Sequence, residues 1–423
     1  MGTHKQLRNF WMLCLTMIVL FGSSVAVAQT SYTVTDLGSL PNDNLGCAMD
    51  VNNQGWTLIM AGNVAAGQER SSSGTLLNGR AVVDIDGVKT DLGTLGGPNS
   101  WMNWGAINDR GQVVGMAETS TPDPNAENIC QFATGLQCRP VIWQDFHISA
   151  LPTLGGNNGQ ASHINNRGEI AGTAETPVLD STCPASAPHL ISLPVLWQDG
   201  KVQSLPTVGG DPDGFAMDIN DEGQAVGFSG ICAGAIHGVS WENGTATPLP
   251  DIGGGAIAES VNDLGEIAGI IGSADGTTEF GAVWQNGVLS NIGTLPGDFA
   301  AIATGINNRG QVVGSTLDSH FNWAHTFIWQ NGVMTDLNTL FPASSNLFAL
   351  MANKINERGQ ISGMAIVMSG PDEGNVHAFL ATPVNASVGT SVADVARTHP
   401  KSNLPANVGK QLLQRFGLGR IQR

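Results

Sequence analysis

Charged side chains are scarce in this 423-residue chain, at 13% of all residues, and tyrosine occurs only once. So few charges disfavour a helical bundle, because the outer faces of such a bundle need many charged residues. After residue 28 no run of about 18 consecutive apolar residues occurs, so we expect no transmembrane helix in the mature chain. A Cys-x-x-Cys pair is also missing, which argues against a thiolate metal site.

Positive charge is in short supply as well. The net charge is −17, and the basic residues concentrate near the two ends of the chain. An acidic body repels phosphate groups, so we expect no nucleic-acid partner. Divalent cations and cationic partners are tolerated far better.

Glycine is abundant instead, with 55 residues, and it belongs to a motif that returns seven times. The motif is an apolar residue, Asn, two variable residues, Gly, one further residue, and a short apolar pair that usually ends in Gly. Because Asn and Gly tolerate left-handed backbone angles, each copy predicts a hairpin turn between two strands. The asparagines lie 42 to 57 residues apart, at Asn52, Asn108, Asn165, Asn220, Asn262, Asn307 and Asn356.

Two further motifs alternate with the first. One is an apolar strand that ends in Trp and is followed by a turn such as Asn286-Gly287. Asn-Gly or Asp-Gly between apolar runs is a strong hairpin signal. The other is a strand of the type Leu-Gly-Thr-Leu-Gly-Gly, seen at residues 92–97. Each repeat of about fifty residues therefore contains four strands.

The strands are apolar on both faces, which is typical of a sheet that is covered on both sides. Four strands per repeat, in about four to eight repeats, indicate a β-propeller. We predict an all-β, seven-bladed β-propeller of four-stranded antiparallel blades over residues 29–387. The mature chain opens with a Leu-Gly strand (Tyr32 to Leu40) and finishes with a Trp-type strand at 377–380. Pairing of these N- and C-terminal strands is expected to close the ring. Which strand is innermost stays open.

Three segments recur in fixed order across 32–382. A His-Ala-Phe-Leu-Trp type strand occurs at 325–332 and 377–380, an Asp-Leu-Gly-Thr-Leu-Gly-Gly segment at 91–97, and an Ala-Ile-Asn-x-x-Gly turn at 106–111. This pattern resembles the HAF family of bacterial extracellular repeats. The resemblance implies export and a β-repeat architecture, and it supplies no activity, substrate or catalytic residues. The tail lacks the Pro-Glu-Pro motif and final hydrophobic helix that anchor many relatives.

The two ends of the chain differ from the repeats. Residues 1–28 are typical of a secretory signal: Lys5 and Arg8 precede an apolar stretch from Phe10 to Gly22, and a small-x-small cleavage site follows at 26–28. Residues 388–423 are interpreted as a basic linker or tail, either flexible or forming a short amphipathic helix. We expect an exported protein that resides outside the cell, at its surface or in the periplasm.

Export permits disulfides. Cys130 and Cys138 are eight residues apart in one loop, and Cys183 and Cys232 fall in equivalent loops of consecutive repeats. Both pairs are disulfide candidates, and Cys47 is left over and expected to be buried. The alternative is that all five cysteines are reduced.

Aromatic residues in the long loops are candidate ligand-binding residues: Trp101 and Trp104 in one loop, Phe321 and Trp323 in another. Exposed aromatic platforms commonly hold sugars, and the alternative is that these rings cap the core. The loops at roughly 62–80, 118–139, 174–193 and 315–324 are long and are expected to emerge on one face, where variation concentrates binding specificity.

Acidic or Asn-rich stretches that follow the Leu-Gly strands include Asp43, Asp211 and Asp213. Clustered oxygen ligands can hold calcium, which is the one cofactor that the sequence suggests. Ordinary turn chemistry is the alternative for all three aspartates. His237, His325 and His377 start the Trp-type strands and are interpreted as structural, and His163 is expected to be packed.

The sequence leaves three functions open. The first is an extracytoplasmic, monomeric binding or protein-interaction scaffold for an unknown protein or glycan. The second is a propeller enzyme acting on polysaccharide or a lactone-like substrate, and the third is a self-associating surface protein. Common enzyme motifs are absent, but active groups of a propeller enzyme converge without a linear motif. Carboxylates and histidine converging at the central channel would favour the enzyme.

Overall fold

The structure is a computed structural model that describes residues 30–64, 76–102, 105–127, 129–184, 189–232, 234–320 and 322–384. The predicted secretory signal and the C-terminal tail lie outside these residues. Among the described residues, no helix is both long and apolar enough to cross a membrane.

The described chain consists mainly of β-strands, grouped in four-stranded antiparallel units. The N-terminal strand is β1 (Ser31–Gly38), followed in unit 1 by β2 (Leu45–Val51), β3 (Thr57–Val64), β4 (Leu76–Ile85) and β5 (Val88–Asp91). Unit 2 comprises β6 (Gly96–Trp101), β7 (Val113–Pro122), β8 (Leu136–Gln144) and β9 (His147–Ala150). Unit 3 comprises β10 (Gly159–Ile164), β11 (Ile170–Leu179), β12 (Leu190–Gln198) and β13 (Lys201–Ser204).

The remaining units repeat this arrangement. Unit 4 comprises β14 (Asp213–Ile219), β15 (Ala225–Gly230), β16 (Ile236–Glu242) and β17 (Thr245–Pro248). Unit 5 comprises β18 (Gly253–Val261), β19 (Ile267–Ser273), β20 (Glu279–Gln285) and β21 (Val288–Gly293). Unit 6 comprises β22 (Ala300–Ile306), β23 (Val312–Leu317), β24 (Trp323–Gln330) and β25 (Val333–Asp336), followed by a 3-10 turn at Leu337–Leu340. Unit 7 begins with β26 (Leu347–Ile355), β27 (Ile361–Val367) and β28 (Val376–Val384).

Strand β1 completes unit 7 from the other end of the chain. It pairs antiparallel with β28, starting with Ser31 opposite Val384. The predicted pairing of the N- and C-terminal strands is therefore confirmed. Units 2 to 6 are separate four-stranded sheets, whereas units 1 and 7 share one eight-stranded sheet through a single parallel bridge between Leu45 and Val376.

The first strands of the units are largely buried and the fourth strands are largely exposed. All residues of β2, β22 and β26 are buried, whereas β9, β13 and β17 each have three exposed residues and one half-buried residue. Burial on both faces explains why the inner strands are uniformly apolar rather than alternating. The second strands carry a glycine because the first strand approaches closely: a Cβ at Gly314 would lie 2.0 Å from the carbonyl oxygen of Ile302.

The repeated asparagine connects neighbouring units. In unit 1, the Asn52 Oδ1 atom accepts hydrogen bonds from the backbone N–H groups of Gln54 and Trp56, which fixes the turn. Its Nδ2 atom donates to the carbonyl oxygen of Asn108 in unit 2, at 3.1 Å. The same bond links every unit to the next, and Asn356 donates back to the carbonyl of Asn52 at 2.8 Å. We call these seven asparagines the inner belt.

The residues that follow the inner belt form a second cyclic set of hydrogen bonds. Each backbone N–H donates to the side-chain oxygen of the corresponding residue in the next unit, over 2.7 to 2.9 Å. We call this set the outer belt, and its members are Asn53, Asp109, Asn166, Asp221, Asp263, Asn308 and Glu357.

Both predicted disulfides are present. Cys130, in the loop between β7 and β8, is bonded to Cys138 in strand β8, and Cys183 is bonded to Cys232 between the loops of units 3 and 4. Cys47 is free and buried, as expected. Disulfides of this kind are typical of an oxidising, non-cytoplasmic environment.

Candidate functional site

Seven equivalent positions of the repeat lie around one cavity. Each position lies two residues before an inner-belt asparagine. In six units it is near the end of the first strand, whereas in unit 2 Ala106 follows β6. In six units a β-bulge interrupts the pairing of this strand immediately before the position. A bulge redirects the side chain that follows it. The seven residues are Asp50, Ala106, His163, Asp218, Ser260, Gly305 and Lys354.

Five of these residues are polar, and we call them the channel cluster: Asp50, His163, Asp218, Ser260 and Lys354. They line a cavity of about 160 Å³ together with residues of both belts. The outer-belt residues are half-exposed to exposed and surround the mouth of this cavity. The antiparallel strand order puts this mouth on the face opposite the loops that carry the two disulfides.

Asp218 is the centre of the channel cluster. Its carboxylate is 2.8 Å from the Lys354 Nζ atom and 3.0 Å from the His163 Nε2 atom. It also accepts hydrogen bonds from the backbone N–H groups of Ile219 and Val261. Burial acts to raise the pKa of Asp218, but His163, Lys354 and a hydrogen bond from Ser260 outweigh it and lower the pKa. Asp218 therefore carries a negative charge at neutral pH.

Lys354 is a buried cation between Asp218 and Ser260. Its Nζ atom donates to the Ser260 Oγ atom at 2.8 Å as well as to Asp218. Only 7% of this residue is exposed. Because the ammonium group compensates Asp218, it takes the position that a metal ion would need among these ligands.

His163 is neutral at physiological pH. Burial and the positive charge of Lys354 lower its pKa to about 4, against the opposing effect of Asp218. The short contact to Asp218 assigns the ring proton to Nε2, which donates to the carboxylate. The Nδ1 atom is buried and has no hydrogen-bond partner in the described part of the chain. A Cβ at Gly105 would lie 1.8 Å from the His163 Cδ2 atom, so the glycine gives this ring its space.

Asp50 is the second carboxyl group of the cluster. It accepts hydrogen bonds from the backbone N–H groups of Val51 and Ile107, at 2.8 and 2.9 Å. Burial raises its pKa to about 6, although Lys354 and these two hydrogen bonds act in the opposite direction. The pKa of Asp50 is thus raised towards the usual range of histidine, and the pKa of His163 is lowered towards the usual range of aspartate. Strongly shifted pKa values are enriched at functional sites.

This arrangement can transfer protons. A neutral imidazole that a carboxylate holds by one nitrogen, with the other nitrogen unprotonated, has the geometry of a general base. A neighbouring ammonium group can stabilise negative charge that develops on a bound oxygen. The cavity is smaller than the roughly 300–1,000 Å³ of sites for drug-sized ligands, so it fits a small molecule or a terminal group.

The aromatic candidates are not exposed where the structure describes them. Trp101 ends strand β6 rather than lying in a loop, is 1% exposed, and contacts Phe132 edge-on with ring centroids 6.1 Å apart. Trp323 begins β24 and is 9% exposed. The expected exposure is therefore wrong for both, because they fill space between strands and loops. Trp104 and Phe321 lie outside the described residues.

The calcium candidates each have partners within the protein. Asp211 accepts hydrogen bonds from Ser229 and contacts His237 Nδ1 at 2.9 Å. Asp213 accepts from the backbone N–H of Ser192, and burial raises its pKa to about 6. Asp43 accepts a hydrogen bond from the side chain of Asn63. Calcium binding at these aspartates stays a prediction.

The three strand-initial histidines have equivalent surroundings. His237, His325 and His377 each contact an aspartate at 2.9 Å, namely Asp211, Asp298 and Asp36. One such pair in a unit fits the structural role expected for them.

The channel cluster was missed because its residues share no linear motif. His163 was expected to be packed, and the five polar residues lie in five different repeats. An alignment of the seven repeats does carry a signal: the position two residues before the asparagine is small in two copies and polar in five.

No family model and no curated protein matches this chain. Among solved structures, it is similar to the β-propeller domain of the Trilobed protease from Pyrococcus furiosus, with 12% identity and a TM-score of 0.44 over 68% of this chain and 79% of that one. A streptogramin B lyase has 8% identity and a TM-score of 0.47, covering 84% of this chain and 98% of its own. A gluconolactonase from Xanthomonas campestris has 9% identity and a TM-score of 0.38, covering 83% and 89%.

These similarities are remote, and they support no inference about activity. The class of protein follows from the chain's own topology. Four-stranded antiparallel units placed around a channel are the architecture of a β-propeller.

Proposed function

We propose that this protein is an exported, closed seven-bladed β-propeller whose channel carries out acid–base chemistry on a small polar substrate. Seven four-stranded units and two cyclic sets of seven hydrogen bonds support the closed ring. The secretory pattern at residues 1–28 and the two disulfides support export. Membership of the HAF family is part of this proposal.

One observation carries the catalytic part. Ala106 and Gly305 occupy two of the seven converging positions, so ring closure needs no polar side chain there. The other five positions nevertheless hold two carboxyl groups, an imidazole, a hydroxyl and an ammonium group. Burying such groups is costly, and two of them have strongly shifted pKa values. Groups of this kind are retained where they act on a ligand.

The cavity size favours a lactone-like substrate over a polysaccharide. A polysaccharide chain cannot be enclosed in about 160 Å³, whereas a small ring can enter through the mouth. In lactone hydrolysis, the His163 imidazole takes a proton from the attacking water as the oxygen bonds to the carbonyl carbon, which requires the ring to turn its buried Nδ1 atom towards the cavity. Lys354 stabilises the resulting oxyanion, the ring C–O bond breaks, and the alkoxide receives the proton to give a hydroxy acid.

The test is to incubate the chain without residues 1–28 with a panel of small sugar lactones. Proton release measures the rate of hydrolysis. His163→Gln keeps an N–H donor towards Asp218 but removes the basic nitrogen, so we expect kcat/KM to fall at least about 100-fold. His147→Gln is the matched control, because His147 is exposed at a hairpin turn. The wild-type profile should lose activity on the acid side near pH 4, the pKa of His163.

Two results would overturn this function: no hydrolysis of any lactone by the folded wild-type protein, or equal activity of the two histidine variants. Circular dichroism of each variant separates loss of chemistry from loss of the fold.

We also propose a second function, binding of an extracellular protein or glycan at the loops that the disulfides hold. Both of them fix loops on the face opposite the cavity mouth, and a fixed loop loses less entropy when it binds. Binding that survives His163→Gln and is lost on reduction of the disulfides would favour this scaffold role.

A further inference from the structure

The disulfide between units 3 and 4 lies among two other metal-ligating side chains. Asp180 and Cys183 follow strand β11, His189 precedes β12, and Cys232 lies between β15 and β16. One ligand atom from each of these four residues lies within 4.8 Å of all the others. In the described part of the chain, this is the single group of His, Cys, Asp and Glu residues that meets this condition.

Each sulfur has its own acceptor. The Cys232 Sγ atom is 3.1 Å from the His189 Nε2 atom, and the Cys183 Sγ atom is 3.2 Å from an Asp180 carboxylate oxygen. A disulfide sulfur has no proton to donate, so in the oxidised protein Cys183 does not donate to Asp180 and Cys232 does not donate to His189. Once the bond is reduced, each thiol faces a group that can accept its proton. The same group can then bind a metal ion next to the thiolate sulfur.

The surrounding residues orient both acceptors. The His189 Nδ1 atom is 2.9 Å from the carbonyl oxygen of Leu190, which makes Nδ1 the protonated nitrogen and directs the Nε2 lone pair towards Cys232. Metal-binding histidines are usually fixed through their second nitrogen in this way. Asp180 accepts hydrogen bonds from the backbone N–H and the hydroxyl of Thr182, both at 2.8 Å. The Thr182 hydroxyl oxygen also accepts a hydrogen bond from the backbone N–H of Cys232, across the boundary between units 3 and 4.

We propose that Asp180, Cys183, His189 and Cys232 bind one zinc-type divalent cation when the Cys183–Cys232 disulfide is reduced. Two thiolates, an imidazole and a carboxylate form a tetrahedral ligand set that zinc accepts. Zn–S bonds of about 2.3 Å and Zn–N bonds of about 2.0 Å put neighbouring ligand atoms roughly 3.5 Å apart, which the present spacing accommodates. Sulfur and nitrogen donors disfavour calcium and magnesium.

The chemistry balances in two steps. An external dithiol gives two electrons and two protons to the disulfide and itself becomes a disulfide, or a phosphine does so together with water and becomes a phosphine oxide. Cys183 and Cys232 each gain one proton. Metal binding then releases both thiol protons and forms two metal–sulfur bonds. The loops of units 3 and 4 are thereby linked either by a disulfide or by a metal ion.

Cobalt(II) is the probe for this site, because tetrahedral thiolate–cobalt complexes absorb visible light. The chain without residues 1–28 is titrated with Co²⁺ under anaerobic conditions, before and after reduction with a phosphine, and then with competing Zn²⁺. We expect one equivalent of tetrahedral Co²⁺ in the reduced protein, none in the oxidised protein, and full displacement by zinc. His189→Gln and Asp180→Asn should each weaken binding at least 10-fold.

The second disulfide provides the matched control. Cys130→Ser/Cys138→Ser should keep the cobalt signal after reduction, whereas Cys183→Ser/Cys232→Ser should lose it. The Cys47 thiol does not compete, because burial raises its pKa to about 12. Absence of a tetrahedral signal from the reduced protein, or an equal signal from both serine pairs, would overturn the proposal. His163→Gln should leave the signal unchanged, which separates this test from that of the proposed activity.

Discussion

Lys354→Met is the most informative change in the channel. The substitution keeps most of the side-chain volume and removes the ammonium group that contacts Asp218 and Ser260 at 2.8 Å. The Asp218 carboxylate then stays buried, with 2% of its side chain exposed, and without its cation. A buried charge that loses its partner is strongly destabilising, in contrast to a surface ion pair.

The magnitude follows from what remains around Asp218. Breaking a buried pair by removing one partner typically costs about 3–5 kcal/mol. Asp218 keeps its hydrogen bonds from Ile219, Val261 and His163, so we expect the lower end, about 3 kcal/mol. The pKa of Asp50 should also rise further, because Lys354 lowers it in the wild type. Adding Asp218→Asn removes the orphaned charge and should recover at least about 1 kcal/mol.

Urea unfolding at pH 7 measures these free energies. Lys201→Met is the control, since Lys201 is exposed at a hairpin turn of unit 3 and should change the free energy of unfolding by less than about 0.5 kcal/mol. If Lys354→Met is no less stable than Lys201→Met, or if the double variant is less stable than Lys354→Met alone, Lys354 does not stabilise the fold by neutralising Asp218.

The remaining predictions concern pH, the inner belt and a disulfide. Because the pKa of His163 is lower in the folded state (about 4) than its ordinary 6.5, stability is lost as the pH falls through this window; by pH 4.5 the wild type should lose about 2–3 kcal/mol that His163→Gln keeps, as melting temperatures will show. The raised pKa of Asp50 acts the other way, so Asp50→Asn should stabilise the protein by about 2–3 kcal/mol at pH 7 and by less than about 0.5 kcal/mol below pH 4 in the same series. Asn356→Ala removes the bond that closes the inner belt and should cost about 1–3 kcal/mol in urea unfolding. Cys130→Ser/Cys138→Ser should cost about 2.5 kcal/mol, compared under oxidising conditions.

Much of the fold was predictable because the same pattern of turn residues and apolar strands occurs in seven repeats. Turn residues at fixed offsets and apolar strands of constant length are local features, and each copy confirms the others. Even the pairing of β1 with β28 followed from counting strand types at the two ends. The second role of the asparagine was not visible, since its bond to the next unit depends on packing between units.

The candidate site was largely unpredictable for a different reason. His163 and Asp218 are in consecutive repeats, but Lys354 lies 136 positions from Asp218, and only the ring brings them together. Whether the strand before the asparagine is innermost decides whether these residues meet at all. Loop position likewise misled the interpretation of Trp101, because this residue ends a strand and packs against Phe132.

In a ring of equivalent units, differences between units are more informative than similarities. The inner belt, the bulges and the glycines of the second strands occur in nearly every unit, so they account for the fold. Asp50 and His163, in contrast, reduce stability. Burial raises the pKa of Asp50, which costs stability near neutral pH, and lowers the pKa of His163, which costs stability at acidic pH. Since Ala106 and Gly305 occupy the equivalent position in units 2 and 6, the fold does not require a polar side chain there. Native proteins keep such costs at sites of function, and this is the physical reason to test the proposed activity at the channel cluster.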